Sequence, residues 1–311
     1  MTSAGRFAPS PSGELHVGNL RTAILAWLFA RSTDRRFLMR VEDLDRARAG
    51  AEAEQLRDLR AIGLTWDGGV VRQTDRGPLY AEAIAQLTAD GLTYECFCTR
   101  REIQEAPSAP HAPQGAYPGT CRNLSDAERE AKQAVRPAAV RLRAAVAEAT
   151  VQDVLHGSYT GVVDDFVLRR NDGVTAYNLA VVVDDAAQGI DQVVRGDDLL
   201  PSTPRQAYLA SLLNMPVPEY AHVPLVLNAA GARLAKRDGA VTLADLALIG
   251  IAADEVRDAL LASLGLPAGP LEQALAAFDP AALPRGPWVW PGVPGGHPGS
   301  GFRPRTDSRG A

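Results

Sequence analysis

The chain has 311 residues, 46% of them hydrophobic, which suits one large or two medium domains with a buried core. No stretch of 18 apolar residues occurs and the N-terminus lacks a charged-then-apolar signal pattern, so we expect a cytoplasmic protein without membrane contacts. A net charge of −5 excludes a general polyanion binder and leaves any nucleic-acid contact to local basic patches.

The first predicted element is a short strand that runs through a stiff loop into a helix. The segment RFAPSPSGELHVGN (residues 6–19) combines prolines that fix the backbone with glycines that permit tight turns. The next segment, NLRTAILAWLFARS, spaces its apolar residues as a helix does. Such a loop can aim backbone N–H groups at an anion, and His16 at the helix entrance could donate to a phosphate oxygen. An ordinary turn that happens to contain a histidine is the alternative.

The chain's three cysteines all lie in one later stretch, at Cys96, Cys98 and Cys121. Three clustered cysteines make no disulfide framework, and in a cytosolic chain they suggest a metal that stabilises a segment poor in apolar residues. Zinc prefers four ligands, so a fourth is needed, and the candidates are His111 and Tyr117. The chemistry alone favours His111, because imidazole is the commoner zinc ligand. Three thiols without a metal are the alternative.

A second loop, further along the chain, carries a notable lysine. A strand-like run that starts at His222 is followed by small residues and then by RLAKR (residues 233–237). Among 32 basic residues only Lys132 and Lys236 are lysines. A mobile loop with a compact ammonium charge can follow a phosphate through a reaction. A solvated basic turn is the alternative.

Together, HVGN (residues 16–19) and RLAKR resemble the two signatures of class I aminoacyl-tRNA synthetases. The flanking segments FLMRVEDLD, DFVLRRNDGVTAYNLAVVVDD and VVRGDDLLPSTPRQ resemble the glutamyl-tRNA synthetase family, and the resemblance covers roughly residues 5–265. The chain departs from the loop signature at Arg233 and Ala235, where the family has lysine and serine. Lys236 is kept, so we expect a lower efficiency and an unchanged function.

The resemblance implies a site for glutamate and ATP. The residues that it implies for L-glutamate are Arg6, Phe7, Ala8, Pro9, Ser10, Glu42, Tyr177 and Arg195. Those that it implies for ATP are His16, Gly18, Asn19 and Lys236, with His16 and Lys236 also catalytic. An arginine can bind a carboxylate through two parallel hydrogen bonds, and Glu42 can accept from the ligand's ammonium group. Attack of glutamate on the α-phosphate of ATP, with Mg²⁺ as counter-ion, would give glutamyl-adenylate.

The resemblance also implies the metal ligands and the fold. It places Tyr117, four residues before the last cysteine, beside Cys96, Cys98 and Cys121 as the ligands of one structural Zn²⁺. The implied fold class is α/β, a Rossmann-like class I synthetase catalytic domain with a zinc-bearing insert and a small C-terminal helical domain. The predicted segments are a nucleotide-binding domain in two halves (1–93 and 166–232), the insert (94–165), the signature loop with the helical domain (233–285) and a flexible tail (286–311). No sequence feature indicates an oligomer, so we expect a monomer.

Little sequence follows the RLAKR loop, so we expect a catalytic body without an anticodon-reading region. This layout resembles a truncated branch of the family that activates glutamate without tRNA and transfers it to queuosine, the modified wobble base of tRNA(Asp). A minimal glutamyl-tRNA synthetase that charges a tRNA 3′ end is one alternative. A non-catalytic module that binds glutamate or its adenylate is another.

Overall fold

The computed structural model describes residues 3–105, 117–234 and 241–292. Its strands are β1 (Ala4–Phe7), β2 (Arg36–Val41), β3 (Val71–Arg72), β4 (Thr93–Cys96), β5 (Ala139–Leu142), β6 (Glu148–Asp153), β7 (Gly157–Val162), β8 (Val167–Arg169), β9 (Ile190–Gly196), β10 (Glu219–Val223), β11 (Val226–Leu227) and β12 (Trp288–Val289). Its α-helices are α1 (Val17–Arg31), α2 (Ala51–Ala61), α3 (Gly77–Ala89), α4 (Arg100–Glu105), α5 (Asp126–Gln133), α6 (Tyr177–Gln188), α7 (Thr203–Leu212), α8 (Leu243–Leu248), α9 (Ala253–Ala262) and α10 (Leu271–Ala276). No described helix combines the length and apolar character that crossing a bilayer requires.

Seven of the described strands form one sheet in the order β3-β2-β1-β9-β10-β6-β7. Every neighbouring pair is parallel except the hairpin of β6 and β7. Gly5 at the centre of the sheet faces Ala30 of α1, and an added Cβ would lie 2.9 Å from that methyl group. The glycine therefore lets α1 pack close to the sheet. In such a sheet the carboxyl ends of the parallel strands share one edge, where ligands bind.

The core surrounds α1, which connects β1 to β2. Leu20, Ile24 and Leu28 of α1 are fully buried, and Val256 and Leu260 of α9 belong to the same apolar cluster. The sequence predicted the signature loop and a small helical domain over 233–285, and the described part of this region shares the apolar cluster of the nucleotide-binding domain. Helix α9 contacts α1, α2 and α8, and Leu246 of α8 and Leu271 of α10 are buried in the same cluster.

The predicted insert, 94–165, differs from the structure at its C-terminal boundary. Helix α5 and strand β5 lie within this segment. Strands β6 and β7, however, extend the main sheet, because Asp153 pairs in parallel with Tyr220. Strand β8, predicted in the second half of the nucleotide-binding domain, instead pairs with β5 in a small antiparallel sheet with β4. The insert is therefore interleaved with the main sheet.

The predicted flexible tail, 286–311, is ordered at its start. Trp288 and Val289 pair in parallel with Val226 and Leu227, and Trp290 is buried. The two tryptophan rings meet edge to face, 5.5 Å apart. Aromatic burial and two backbone hydrogen bonds hold this segment on the body. Residues 293–311 lie outside the described ranges.

Candidate active site

The predicted glutamate residues gather at one edge of the main sheet. Arg6 lies at the end of β1, Glu42 directly follows β2 and Arg195 lies near the end of β9. Tyr177 is the first residue of α6, which leads into β9. Because β2, β1 and β9 are adjacent and parallel, residues far apart in sequence meet at their carboxyl ends.

Three neutral acceptors hold the guanidinium of Arg195. Its Nε donates to His222 Nε2 at 3.0 Å, its Nη2 to Thr203 Oγ1 at 2.9 Å and its Nη1 to the Tyr177 hydroxyl at 3.3 Å. Arg195 is only 5% exposed. No carboxylate of the described residues forms an ion pair with Arg195. Its charge is therefore oriented but not neutralised.

A second arginine group is built around Asp185 of α6. Asp185 Oδ1 accepts from Arg6 Nε at 3.3 Å and from Arg40 Nη1 at 2.8 Å, and all three side chains are buried. Arg40 Nη2 also lies 3.4 Å from Glu42 Oε1. Two arginines therefore share one central carboxylate, and Arg40 extends the network to Glu42.

The buried charges in this network shift one another's pKa values. Burial favours the neutral form of Asp185, but the charges of Arg40 and Arg6 outweigh it and lower its pKa, so the carboxylate stays ionised. Burial is the largest effect on Glu42 and raises its pKa, although Arg40 and Arg6 oppose that change. A buried carboxylate of this kind gains from a cationic ligand, as the ammonium group of an amino acid would be.

Tyr220 of β10 connects the two arginine groups. The guanidinium of Arg195 lies 5.7 Å from the centre of its ring. Burial raises the pKa of Tyr220 to about 12, and the charges of Arg195, Asp185 and Arg6 all act on it. The charges of both groups therefore act on this one tyrosine.

The loop that follows β1 forms hydrogen bonds with Glu42, the residue that follows β2. Glu42 N donates to Pro9 O at 3.0 Å, and Ser10 Oγ donates to Glu42 O at 2.9 Å. The side chain of Phe7 packs in the apolar core, and Ala8 is half-buried. In this segment the backbone and Ser10, rather than Phe7, are placed to contact a ligand.

His16 caps the N-terminus of α1. Its Nδ1 accepts from the backbone N–H groups of Gly18 at 3.1 Å and Asn19 at 3.3 Å, while Asn19 Oδ1 accepts from His16 N. Burial and then the charge of Arg233 lower the pKa of His16, so the ring is neutral. Because Nδ1 is an acceptor, the proton lies on Nε2, which can donate to a phosphate oxygen.

This cap corrects one expectation from the sequence. The N–H groups of Gly18 and Asn19 are used by His16, and Val17 N donates to Val241 O at 2.9 Å. These N–H groups are therefore not free to bind an anion. Gly18 is needed for packing, since an added Cβ would lie 3.0 Å from Nδ1 and Cε1 of His16.

The chain that follows the second signature returns to the first signature. Thr242 forms a β-bridge with His16, at the entrance of α1. Arg233, at the start of that loop, is largely exposed and pairs with Asp198 at 2.7 Å. Ala235 and Lys236 lie outside the described residues.

The three cysteines form one cluster at the end of β4. Their sulfur atoms lie within 4.8 Å of one another, and Cys98 Sγ is 3.5 Å from Cys121 Sγ. The Tyr117 hydroxyl lies 3.3 Å from Cys96 Sγ and 3.7 Å from Cys98 Sγ. Sulfur atoms in a tetrahedral zinc site are about 3.8 Å apart for bonds of about 2.3 Å, so these donors suit such an ion. His111 lies outside the described residues.

Several residues of the site were not predicted from the sequence. Asp185 and Arg40 were passed over because each lies in an apolar run, where the main signal is burial. The pair of aspartates that ends VVVDD was a usable signal, since carboxylates in an apolar helix need charged partners. His222, Thr203 and Asp153 gave no pattern, because only the fold brings them together.

The family model for class I tRNA synthetases (E and Q), catalytic domain, matches residues 4–269. This match covers most of the chain, and the chain therefore belongs to that family.

Individual proteins of known name and solved structures are also similar to this chain. A protein of Nocardia farcinica named glutamyl-Q tRNA(Asp) synthetase is 68% identical over 287 residues, which are 92% of each chain. A protein of the same name from Cutibacterium acnes is 54% identical over 85% of this chain and 77% of its own length. The crystal structure of a glutamate tRNA ligase from Elizabethkingia meningosepticum in complex with its amino acid has a TM-score of 0.79 and 26% identity. That alignment covers 93% of this chain and 66% of the ligase, so this chain spans just under two thirds of it.

Proposed function

We propose that this protein activates L-glutamate with ATP, without tRNA, and transfers the glutamate to queuosine at the wobble position of tRNA(Asp). The observation that carries the proposal is the 68% identity, over nearly the whole of both chains, to the Nocardia farcinica glutamyl-Q tRNA(Asp) synthetase. The cluster of Arg6, Glu42, Tyr177 and Arg195 supports the choice of glutamate, because it offers two cationic groups, a carboxylate and a hydroxyl.

In the first step a carboxylate oxygen of glutamate attacks the α-phosphorus of ATP. The bond between the α-phosphorus and the oxygen that bridges the α- and β-phosphates breaks, and pyrophosphate leaves with Mg²⁺ as its counter-ion. Arg195 and Arg6 would hold the carboxylates, and Glu42 would accept from the ammonium group. His16 Nε2–H and Lys236 would stabilise the charge that develops on the phosphates, so catalysis rests on position and electrostatics.

In the second step a hydroxyl of the cyclopentene-diol of queuosine attacks the activated carboxyl carbon, and AMP leaves. The two ring hydroxyls stand where the ribose diol of a tRNA 3′ end would stand in a charging enzyme. A glutamyl-tRNA synthetase activity remains the second candidate, because the solved ligase above shares this fold.

Replacing Lys236 by alanine is expected to lower glutamate-dependent ATP–pyrophosphate exchange by about 100-fold, as loss of one preorganised charge on the reacting phosphates does. The matched control is Lys132→Ala, which removes the chain's other lysine from the exposed face of α5 and should leave exchange unchanged. Undiminished exchange in Lys236→Ala would remove Lys236 from the mechanism. No exchange in the parent protein would favour a non-catalytic binding module.

We further propose that Cys96, Cys98, Tyr117 and Cys121 hold one structural Zn²⁺. The three sulfur atoms and the tyrosine oxygen are spaced as the corners of a zinc tetrahedron, which supports this set. The ion would join the end of β4 to the segment around Tyr117, where few apolar side chains are buried.

Metal analysis of four purified proteins tests this ligand set. The parent is expected to contain about one zinc per chain, and Cys98→Ser to contain none and to melt at a lower temperature. Tyr117→Phe should bind zinc more weakly, while His111→Ala should match the parent. Loss of zinc from His111→Ala, with full zinc in Tyr117→Phe, would make His111 the fourth ligand.

A further inference from the structure

The hydrogen bonds around His222 fix which of its two ring nitrogens carries the proton. His222 Nδ1 lies 2.6 Å from Asp153 Oδ2, and its Nε2 lies 3.0 Å from Arg195 Nε. A guanidinium can only donate, so Nε2 must be the acceptor and Nδ1 must carry the proton. Both His222 and Asp153 are buried, so no water layer separates these groups.

The contacts of Asp153 keep its carboxylate ionised and fixed beside His222 Nδ1. Its carboxylate also accepts from the backbone N–H groups of Leu155, His156 and His222, at 2.9 to 3.0 Å. Burial would raise its pKa, but the bonds from His222 and the backbone outweigh burial and lower it. An ionised Asp153 accepts from Nδ1 and leaves the lone pair of Nε2 directed at Arg195.

We propose that His222, held by Asp153 as its Nδ1–H form, is a positioning residue that orients Arg195 toward the carboxylate of the amino-acid substrate. This inference rests on the proposed function for the identity of that substrate. A neutral acceptor suits this role, because an aspartate or glutamate in its place would neutralise the charge that the substrate carboxylate needs. Thr203 completes the arrangement by accepting from Nη2.

Protonation of His222 would disrupt the contact. A proton on Nε2 would face the Nε–H of Arg195, so two donors and two positive charges would oppose each other. The charged and titratable groups around the ring are Asp153, Arg195, His156 and Tyr220. His156 Nε2 lies 3.0 Å from the His222 carbonyl oxygen, and the Tyr220 ring stacks on the His222 ring with centroids 6.0 Å apart. Burial, aided by Arg195 and His156 and opposed by Asp153, keeps the pKa of His222 below its usual 6.5.

Nitrogen NMR on ¹⁵N-histidine-labelled parent protein reads this arrangement directly. The chain has five histidines, and the signals absent from His222→Gln assign those of His222. At pH 7 we expect a protonated Nδ1 and an unprotonated Nε2. A proton on Nε2 would overturn the proposal, whether or not the protein activates glutamate.

Substitutions at His222 test its effect on substrate binding. Leucine removes the acceptor, and we expect the glutamate KM in ATP–pyrophosphate exchange to rise about 10–100-fold, with kcat and the KM for ATP changed little. Glutamine can place its amide oxygen near the position of Nε2, so His222→Gln should recover most of the lost affinity. Equal glutamate KM values for the parent and a folded His222→Leu would overturn the proposal.

The pH profile separates orientation from a merely structural role. As pH falls from about 7.5 to about 5.5, the glutamate KM of the parent should rise more steeply than that of His222→Gln, whose amide does not titrate. Glu42 and His16 are present in both proteins, so the difference between the profiles reports His222. Identical profiles would contradict the proposal. No exchange in the parent would contradict the proposed function instead, and NMR would still decide the pairing.

Discussion

Replacing Arg195 by leucine is expected to lower kcat/KM for glutamate in ATP–pyrophosphate exchange by roughly 10³-fold, or about 4 kcal/mol. The guanidinium is buried and held by His222, Thr203 and Tyr177, so its orientation is set before the ligand arrives. Its removal would leave a ligand carboxylate without its cation. Most of the effect should lie in the glutamate KM, which a titration of exchange against glutamate measures.

Two controls show whether the effect comes from the lost contact between Arg195 and the substrate carboxylate. Arg195→Lys keeps the charge but loses the planar fork, so it should recover only part of the activity. The affinity of Arg195→Leu for ATP should match that of the parent, because Arg195 belongs to the glutamate side of the site. A normal glutamate KM in Arg195→Leu would mean that Arg6 alone binds the substrate carboxylate.

Replacing Asp185 by asparagine is expected to lower the free energy of unfolding by about 3 kcal/mol, because it leaves the buried Arg6 without its carboxylate and leaves Arg40 with only Asp184 and Glu42. Asparagine has nearly the same shape, so the loss reports charge rather than volume. The pKa of Asp185 is lowered in the folded protein, so its contribution is present at neutral pH and disappears as pH falls through that lowered pKa. Urea unfolding at neutral pH measures the effect.

An exposed ion pair provides the matched control. Glu52 pairs with Arg72 through two hydrogen bonds, but Arg72 is 44% exposed at its side chain. Glu52→Gln makes the same chemical change as Asp185→Asn and should cost less than about 1 kcal/mol. Similar losses in both variants would contradict the account of a buried arginine–aspartate network.

Local patterns predicted where several residues of the candidate site lie in the fold. The turn before α1 and the apolar spacing after it placed His16 at a helix entrance, where the structure has it as the N-cap. The resemblance placed Arg6, Glu42 and Arg195, which the parallel sheet brings to one edge. In each case the signal lay in a few consecutive residues.

What the sequence missed depends on contacts between distant segments. Arg40 and Asp185 are 145 residues apart in the sequence, and only the fold brings the two side chains together. The N–H groups after His16 were expected to bind an anion, yet a side-chain cap satisfies two of them. Strands β6 and β7 lie within the predicted insert in sequence, yet β6 pairs with β10 and β7 with β6 in the main sheet, because long-range pairing sets a strand's partner.

Transfer of labelled glutamate to defined tRNAs tests the central claim most directly. The protein would be incubated with ATP, Mg²⁺, radiolabelled glutamate and either tRNA(Asp) from queuosine-making cells, the same tRNA without queuosine, or tRNA(Glu). We predict label on the queuosine-containing tRNA(Asp) alone. Label on the 3′ end of tRNA(Glu), with none on queuosine-containing tRNA(Asp), would contradict the account and identify a charging enzyme instead.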